Sequence, residues 1–219
     1  MGTLGNNLFA EYYAQQHTLP KEYRQVAYLQ ATGTQRIDTV FRATENTKVY
    51  CGFKINKNEQ SPWIFGSRNG GSEAQDRFAL FVYRTDDRII PTIGISSDIV
   101  YKSLGQQKHT LAMSLYGGVI IDNELVHEYT PEQKAWRFTS VYPLSLFTMR
   151  EGENQYNNHL EGNIYCFFAL ENSMYVCKFV PCIRKSDNKP GLYDLCGSIC
   201  PLTGNSFYIN AGTGEFVTP

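Results

Sequence analysis

The loop Glu151–Glu161, EGENQYNNHLE, gathers one aromatic ring and several amides in a polar stretch between two apolar ones. Sugar recognition needs an aromatic face for the ring and amide or carboxylate groups for the hydroxyls. Tyr156, Asn157 and Asn158 supply both types, on the kind of loop that carries binding residues. Trp63 and Trp136 are of the right type as well, but Trp63 stands beside Ile64 and Phe65 and reads as core. Two arginines frame the same argument. Ile64-Phe65-Gly-Ser-Arg68-Asn-Gly70 and Leu146-Phe147-Thr-Met-Arg150-Glu-Gly152 share the pattern Φ-F-x-x-R-x-G, and each leads into a polar loop. The echo predicts matching places for Arg68 and Arg150, one in each of two sheets. Either each caps carbonyls or pairs with a carboxylate at a sheet rim, or the two loops line one binding rim.

Catalytic chemistry finds less support. Glycoside hydrolysis needs two carboxylates facing each other about 5–10 Å apart. The nearest run, Asp122-Asn-Glu124-Leu-Val-His-Glu128, straddles a turn that would separate its outer carboxylates. Cys177-x4-Cys182-x13-Cys196-x3-Cys200 has the four thiols of a tetrahedral zinc site without the usual two-residue knuckles. The histidines at 17, 109, 127 and 159 have no Ser, Cys or Asp arrangement that spells a triad. No D-x-D-x-D-G run supports calcium, and no glycine loop precedes a helix to cradle phosphate. The expectation is a protein without enzymatic activity, cofactor or metal, its six cysteines present as thiols.

The elements that must position these residues are strands. Val49, Cys51, Phe53 and Ile55 alternate with Lys48, Tyr50, Gly52 and Lys54, which predicts a half-buried strand over 47–55. Residues 77–84 and 109–115 read similarly, with His109, Leu111 and Met113 in the inward phase. Gly118–His127 predicts a hairpin around Asp122-Asn123, two residues that tolerate the left-handed conformation of tight turns. Asn163–Leu170 is apolar on both faces and predicts a central strand. Thr130–Trp136 predicts one helical turn, capped by Thr130 with Pro131 at the first position. Met174–Val180 predicts a strand ending at an irregular Pro/Cys corner, followed by a turn at 185–190 and a last strand near 207–209.

At 219 residues, 42% hydrophobic and a formal charge of −1, the chain suits one two-sheet domain and carries no electrostatic footprint for nucleic acid or an anionic membrane. No apolar run approaches the roughly 20 residues that span a bilayer. The start, MGTLGNNLFAEYY, lacks the basic and apolar regions of a secretory signal. Leu8, Phe9, Tyr12 and Tyr13 recur at i, i+1, i+4 and i+5, giving residues 1–18 one apolar helical face. That arm either packs back on the domain or docks onto a neighbouring subunit.

Two end-motifs carry a resemblance. The C-terminal one runs Phe179-Val-Pro-Cys182, then Gly191-Leu-Tyr-Asp194, then Phe207-Tyr-Ile-Asn-Ala-Gly-Thr-Gly-Glu-Phe216. The N-terminal one runs Leu19-Pro-Lys-Glu-Tyr23, Val26-Ala-Tyr-Leu29 and Thr32-Gly-Thr-Gln-Arg-Ile-Asp-Thr39. Together they resemble the ends of concanavalin A-like (laminin-G-like) β-sandwich modules, common in phage and gut-bacterial surface proteins. The match covers roughly residues 19–217 and is specific at its ends and loose between them. One departure is the inserted Cys196–Gly204 segment.

The resemblance implies an all-β, concanavalin A-like jelly roll of two antiparallel sheets, residues 19–219, behind the N-terminal arm. It further implies a non-enzymatic virion surface protein: a head-decoration, head-fibre or tail-associated adhesion subunit, made without a signal peptide and multicopy or homo-oligomeric. Its lectin-like domain would take host or mucosal glycans through Arg68, Arg150, Tyr156, Asn157 and Asn158. Its arm would hold other virion proteins through Leu8, Phe9, Tyr12 and Tyr13. The alternatives are a purely structural decoration protein and a glycoside hydrolase.

Overall fold

The computed structural model describes residues 18–57, 61–69, 76–83, 88–97, 100, 102 and 104–219, so the expectations for Leu8, Phe9, Tyr12 and Tyr13 lie outside the described residues. Among those described, the chain is all-β apart from one helical turn, α1 (Pro131–Lys134). A ten-stranded antiparallel sheet contains β1 (Tyr23–Gln25), β2 (Leu29–Thr32), β4 (Thr47–Lys57), β9 (His109–Ser114), β10 (Gly118–Ile121), β11 (Glu124–His127), β15 (Glu161–Glu171), β16 (Met174–Arg184), β17 (Lys189–Asp194) and β18 (Phe207–Tyr208). An eight-stranded mixed sheet contains β3 (Ile37–Asp38), β5 (Trp63–Ser67), β6 (Arg77–Val82), β7 (Ile89–Gly94), β8 (Ser96–Ser97), β12 (Ser145–Leu146), β13 (Met149–Arg150) and β14 (Tyr156–Asn157).

The large sheet runs β11-β10-β9-β4-β15-β16-β17-β18, with β2 on β15 and β1 on β16. In β4 the period of two does what it predicts: Val49, Cys51, Phe53 and Ile55 are all buried in the main core. β15 lies centrally between β4 and β16, and residues on both of its faces are buried. The inner faces of the two sheets meet there, with Phe167 of the large sheet edge-on to Phe65 of the small one at 5.4 Å. The β10–β11 hairpin turns on Asp122 and Asn123, both at positive φ (49° and 71°). Thr130 caps α1 through a reciprocal capping box with Gln133. His109, in the inward phase, is wholly buried, and its Nδ1 meets Asp122 Oδ2 at 2.7 Å.

The expected pair of antiparallel sheets is half right: the large sheet is antiparallel, but the small one is mixed, because β13 runs parallel to β5. Two further expectations need correction. The strand from Met174 does not stop at a Pro/Cys corner but runs through Pro181 and Cys182 to Arg184. Pro181 is tolerated because its missing N–H falls between two ladders. The β15 pairing has ended at Phe167–Phe179, and the β1 pairing begins at Gln25–Cys182. Only the N–H of Val26 arrives in the gap, and it needs an acceptor, which the Pro181 carbonyl provides at 3.0 Å. The second correction concerns the Φ-F-x-x-R-x-G echo. Its two copies are neighbours in the small sheet and do not occupy matching places in two sheets: Leu146 pairs with Phe65, and Arg150 with Ser67. Phe147, at φ 66°, reverses the chain, so β12 runs antiparallel to β5 and β13 parallel to it. Burial of its ring against Phe216 at 4.9 Å holds that unfavourable backbone.

The two end-motifs close on each other. Gln35, 2% exposed, donates through Nε2 to Glu215 O (2.9 Å) and Thr32 Oγ1 (3.0 Å), and its Oε1 accepts from the N–H of Thr32 (2.8 Å) and Thr34 (3.3 Å). The N–H of Arg36 donates to Asn210 Oδ1 at 3.0 Å, and that of Ala211 to Arg36 O at 2.9 Å. In this glycine-rich stretch Gly214 takes a positive φ (71°). Gly212 serves close approach, since a Cβ there would collide with the carbonyl oxygen of Thr34.

Candidate binding cleft

Asp38 is the hub of the cleft. β3 places Ile37 in the core and turns Asp38 the other way, and the β3–β12 ladder sets Ser145 opposite it. Ser145 donates to Asp38 Oδ1 at 2.7 Å. Oδ2 accepts from the Tyr156 hydroxyl at 3.0 Å and from Arg36 Nε at 3.3 Å. Arg36, two residues before Asp38 and so on the same strand face, lays its guanidinium 3.8 Å over the Tyr156 ring. Burial raises the Tyr156 phenol above its ordinary pKa, and the Asp38 charge and hydrogen bond push it further the same way. The ring is therefore held as a neutral donor. Burial, with Arg36 nearby, lowers His159, which keeps that imidazole on its neutral side.

Arg150 sits directly across the β13–β14 ladder from Tyr156. Its Nε donates to Gly152 O (3.0 Å) and its Nη2 to Glu153 O (2.7 Å), so it folds the 151–155 loop over itself. The guanidinium lies 5.5 Å from the Tyr142 ring centroid and 6.0 Å from that of Tyr156. Beside this pair opens a cleft of about 380 Å³, walled by Asp38, Arg42, Arg150, Tyr156, Pro201 and Leu202. The wall at Pro201–Leu202 belongs to the inserted Cys196–Gly204 segment. That segment is gathered by Asp194, a wholly buried carboxylate that accepts from the N–H groups of Lys178 (2.8 Å), Cys196 (3.0 Å) and Ser198 (3.1 Å) and from the Ser198 hydroxyl.

The five candidate residues are thus divided. Arg150 and Tyr156 face one cleft. Arg68 makes an ion pair with Glu151, whose Oε1 also accepts from Asn157 Nδ2 at 2.9 Å. Asn158, at φ 28°, braces Ser61 O through Nδ2 at 3.3 Å. The rim reading of the two arginines therefore appears in both its forms: Arg68 pairs with a carboxylate and Arg150 caps carbonyls. The tryptophans are half-buried, Trp63 against Phe81 at 4.5 Å and Trp136 over Gly94.

Asp38, Arg36 and Arg42 were not singled out from sequence, because the first two lie inside the T-G-T-Q-R-I-D-T motif that marked the fold. The signal available was periodicity: Ile37 inward leaves Arg36 and Asp38 together on the other face. With both oxygens of Asp38 occupied, the cleft presents fixed donors and an aromatic edge. Among the described residues, no group of three His, Cys, Asp or Glu is arranged to hold a metal. Comparison of the sequence with protein-family models and with curated proteins finds no match to either.

Proposed function

We propose that the chain is a non-enzymatic surface-binding subunit with a concanavalin A-like jelly-roll domain, and that the Arg150–Tyr156 cleft takes a glycan. The observation that carries this reading is the arrangement at the cleft mouth. A neutral Tyr156 is pinned by Asp38 and Arg36, while Arg42 and Arg150 line the same cleft. Such a set suits sugar hydroxyls and carboxylates, because guanidinium donors bind both and Asp38 fixes the ring that would meet the sugar. Asp38, held by three donors, orients its neighbours and is poorly placed as a general base. The resemblance of the two end-motifs to phage and gut-bacterial surface modules supports placement on a virion, where many copies multiply weak single-site binding.

One observation favours the structural alternative, a decoration protein without a glycan ligand. Arg36 covers one face of Tyr156, which leaves less ring for stacking. A glycan array probed with a multivalent form of the protein separates the two. Binding to a defined set of glycans, reduced at least about tenfold by a paired Arg42→Ala and Arg150→Ala variant, is expected. An array blank for both proteins sinks the glycan reading and leaves the structural one.

A further inference from the structure

The cleft beside Tyr156 has spent its acceptors and kept donors in reserve. Asp38 accepts on both oxygens, from Ser145, Tyr156 and Arg36. The Thr39 hydroxyl, also in the lining, donates to Leu144 O at 2.7 Å and accepts from the N–H of Phe41 at 3.2 Å. The guanidinium groups are less committed. Arg42 is exposed, and its contact among the described residues is a long one, 3.4 Å from Nη1 to Ser140 O. Arg150 spends Nε and Nη2 on the carbonyls of Gly152 and Glu153, which leaves Nη1. Neither arginine pairs with a carboxylate among the described residues.

Charge points the same way. Arg36, Arg42 and Arg150 stand against Asp38 and Glu153, so positive groups are in excess around the opening. Glu153 is exposed, and water screens it. A ligand that suits this balance accepts more than it donates and carries negative charge. A sugar hydroxyl donates as readily as it accepts and would find few acceptors here. A carboxylate only accepts, and guanidinium groups hold it by paired, charge-assisted hydrogen bonds. The rest of the lining offers no second charge site. Val40 (42% exposed), Pro143, Pro201 and Leu202 (58% exposed) present an apolar surface that suits a C–H face or an acetamido methyl.

We propose, resting on the reading of this cleft as a glycan site, that its ligand is an acidic glycan. A sugar carboxylate seats at Arg42 and Arg150, and the less polar face of the same sugar lies on Val40 and Leu202. Neutral glycans are then poor ligands. The inserted Cys196–Gly204 segment takes part in recognition, because it brings Pro201 and Leu202 to the wall.

The test compares one sugar with and without its charge. The full-length chain, displayed multivalently, is probed at low salt against sialylated, uronate-bearing and neutral glycans, each acidic glycan printed both as its carboxylate and as the methyl ester. The ester nearly keeps the shape and removes the charge. Binding to at least one carboxylate form is expected, with the matching ester at least about tenfold weaker. Esters or neutral glycans bound as well as the acids overturn the proposal and leave the glycan reading standing. An array blank throughout overturns both. A Leu202→Glu variant then tests the placement, since it adds a like charge to the wall at an exposed position. Affinity for the carboxylate form should fall about fourfold, the effect of one like charge roughly 7 Å away in a largely aqueous site, and affinity for the ester should fall less. A parent-like affinity for the carboxylate form overturns its assignment to this cleft.

Discussion

Gln35 clasps the two ends of the domain, and replacing it tests whether that clasp contributes to stability. In Gln35→Ala the N–H of Thr32 loses its acceptor at 2.8 Å, Glu215 O loses its donor at 2.9 Å, and two longer contacts, to Thr32 Oγ1 and Thr34 N–H, go with them. Two good hydrogen bonds have a net value of about 2 kcal/mol together. The buried side-chain methylene adds about 0.8 kcal/mol. Thr32 and Glu215 are otherwise exposed, so water reaches the orphaned groups and the full penalty of a dry unpaired group does not apply. The expected loss is about 2–3 kcal/mol, or roughly 5–10 °C in Tm for a domain of this size. Gln35→Glu is the comparison: it keeps the acceptor for Thr32 and Thr34 but sets a buried carboxylate oxygen against the Glu215 carbonyl, so it should cost at least as much. Urea unfolding of the three proteins, compared at equal m, measures both. A Gln35→Ala value within about 0.5 kcal/mol of the parent refutes the clasp as a stabilising element.

Asp194→Ala should release the Cys196–Gly204 segment at a cost of about 3–5 kcal/mol, since several N–H groups lose a buried acceptor together. Labelling should then reach Cys200, buried in the parent, in addition to Cys196, and a parent-like labelling pattern would count against that role. Stability should also fall in alkali. Burial pushes Cys182 from an ordinary 9.0 up to about 12 and Tyr208 from 10.0 up to about 12, so the folded chain holds these protons more tightly than the unfolded one. Their contribution is complete below pH 9 and is lost as pH rises through about 12. Urea midpoints under reductant should therefore decline steadily from about pH 9 upward, and a flat profile contradicts the assignment.

What could be read from sequence was whatever depends on neighbours in the chain. The alternation in β4, the Asp122-Asn123 turn and the Thr130 cap each follow from a few adjacent residues, and each stands as expected. Failures came where a distant partner decides. Pro181 looks like a strand breaker until Val26 is seen arriving from the other end of the chain. Tyr50 falls in the polar phase of its strand, yet the large sheet buries it in a second cluster. At the cleft, the Φ-F-x-x-R-x-G echo pointed to Arg150 and loop polarity to Tyr156. The residue that pins Tyr156, Asp38, is 118 positions away from it and was masked by its place in a fold-marking motif.

The meeting of Gln35 with Glu215 has a kinetic consequence. The two residues are 180 positions apart, so on a ribosome the clasp cannot close until the segment around Glu215 has left the exit tunnel. Until then β18 is unpaired, β17 lacks its outer neighbour and Gln30 has no Val217 to bridge. A nascent chain whose residues 207–217 are still in the tunnel would therefore display open sheet edges until they emerge, at about 5–20 residues per second. Pairings this distant in sequence also close slowly in free solution, on the millisecond-to-second scale of high-contact-order β proteins. The chain is thus a natural client for factors that shield unfinished edges, and a stop codon placed before Glu215 should do more damage to its yield than a substitution at most surface positions.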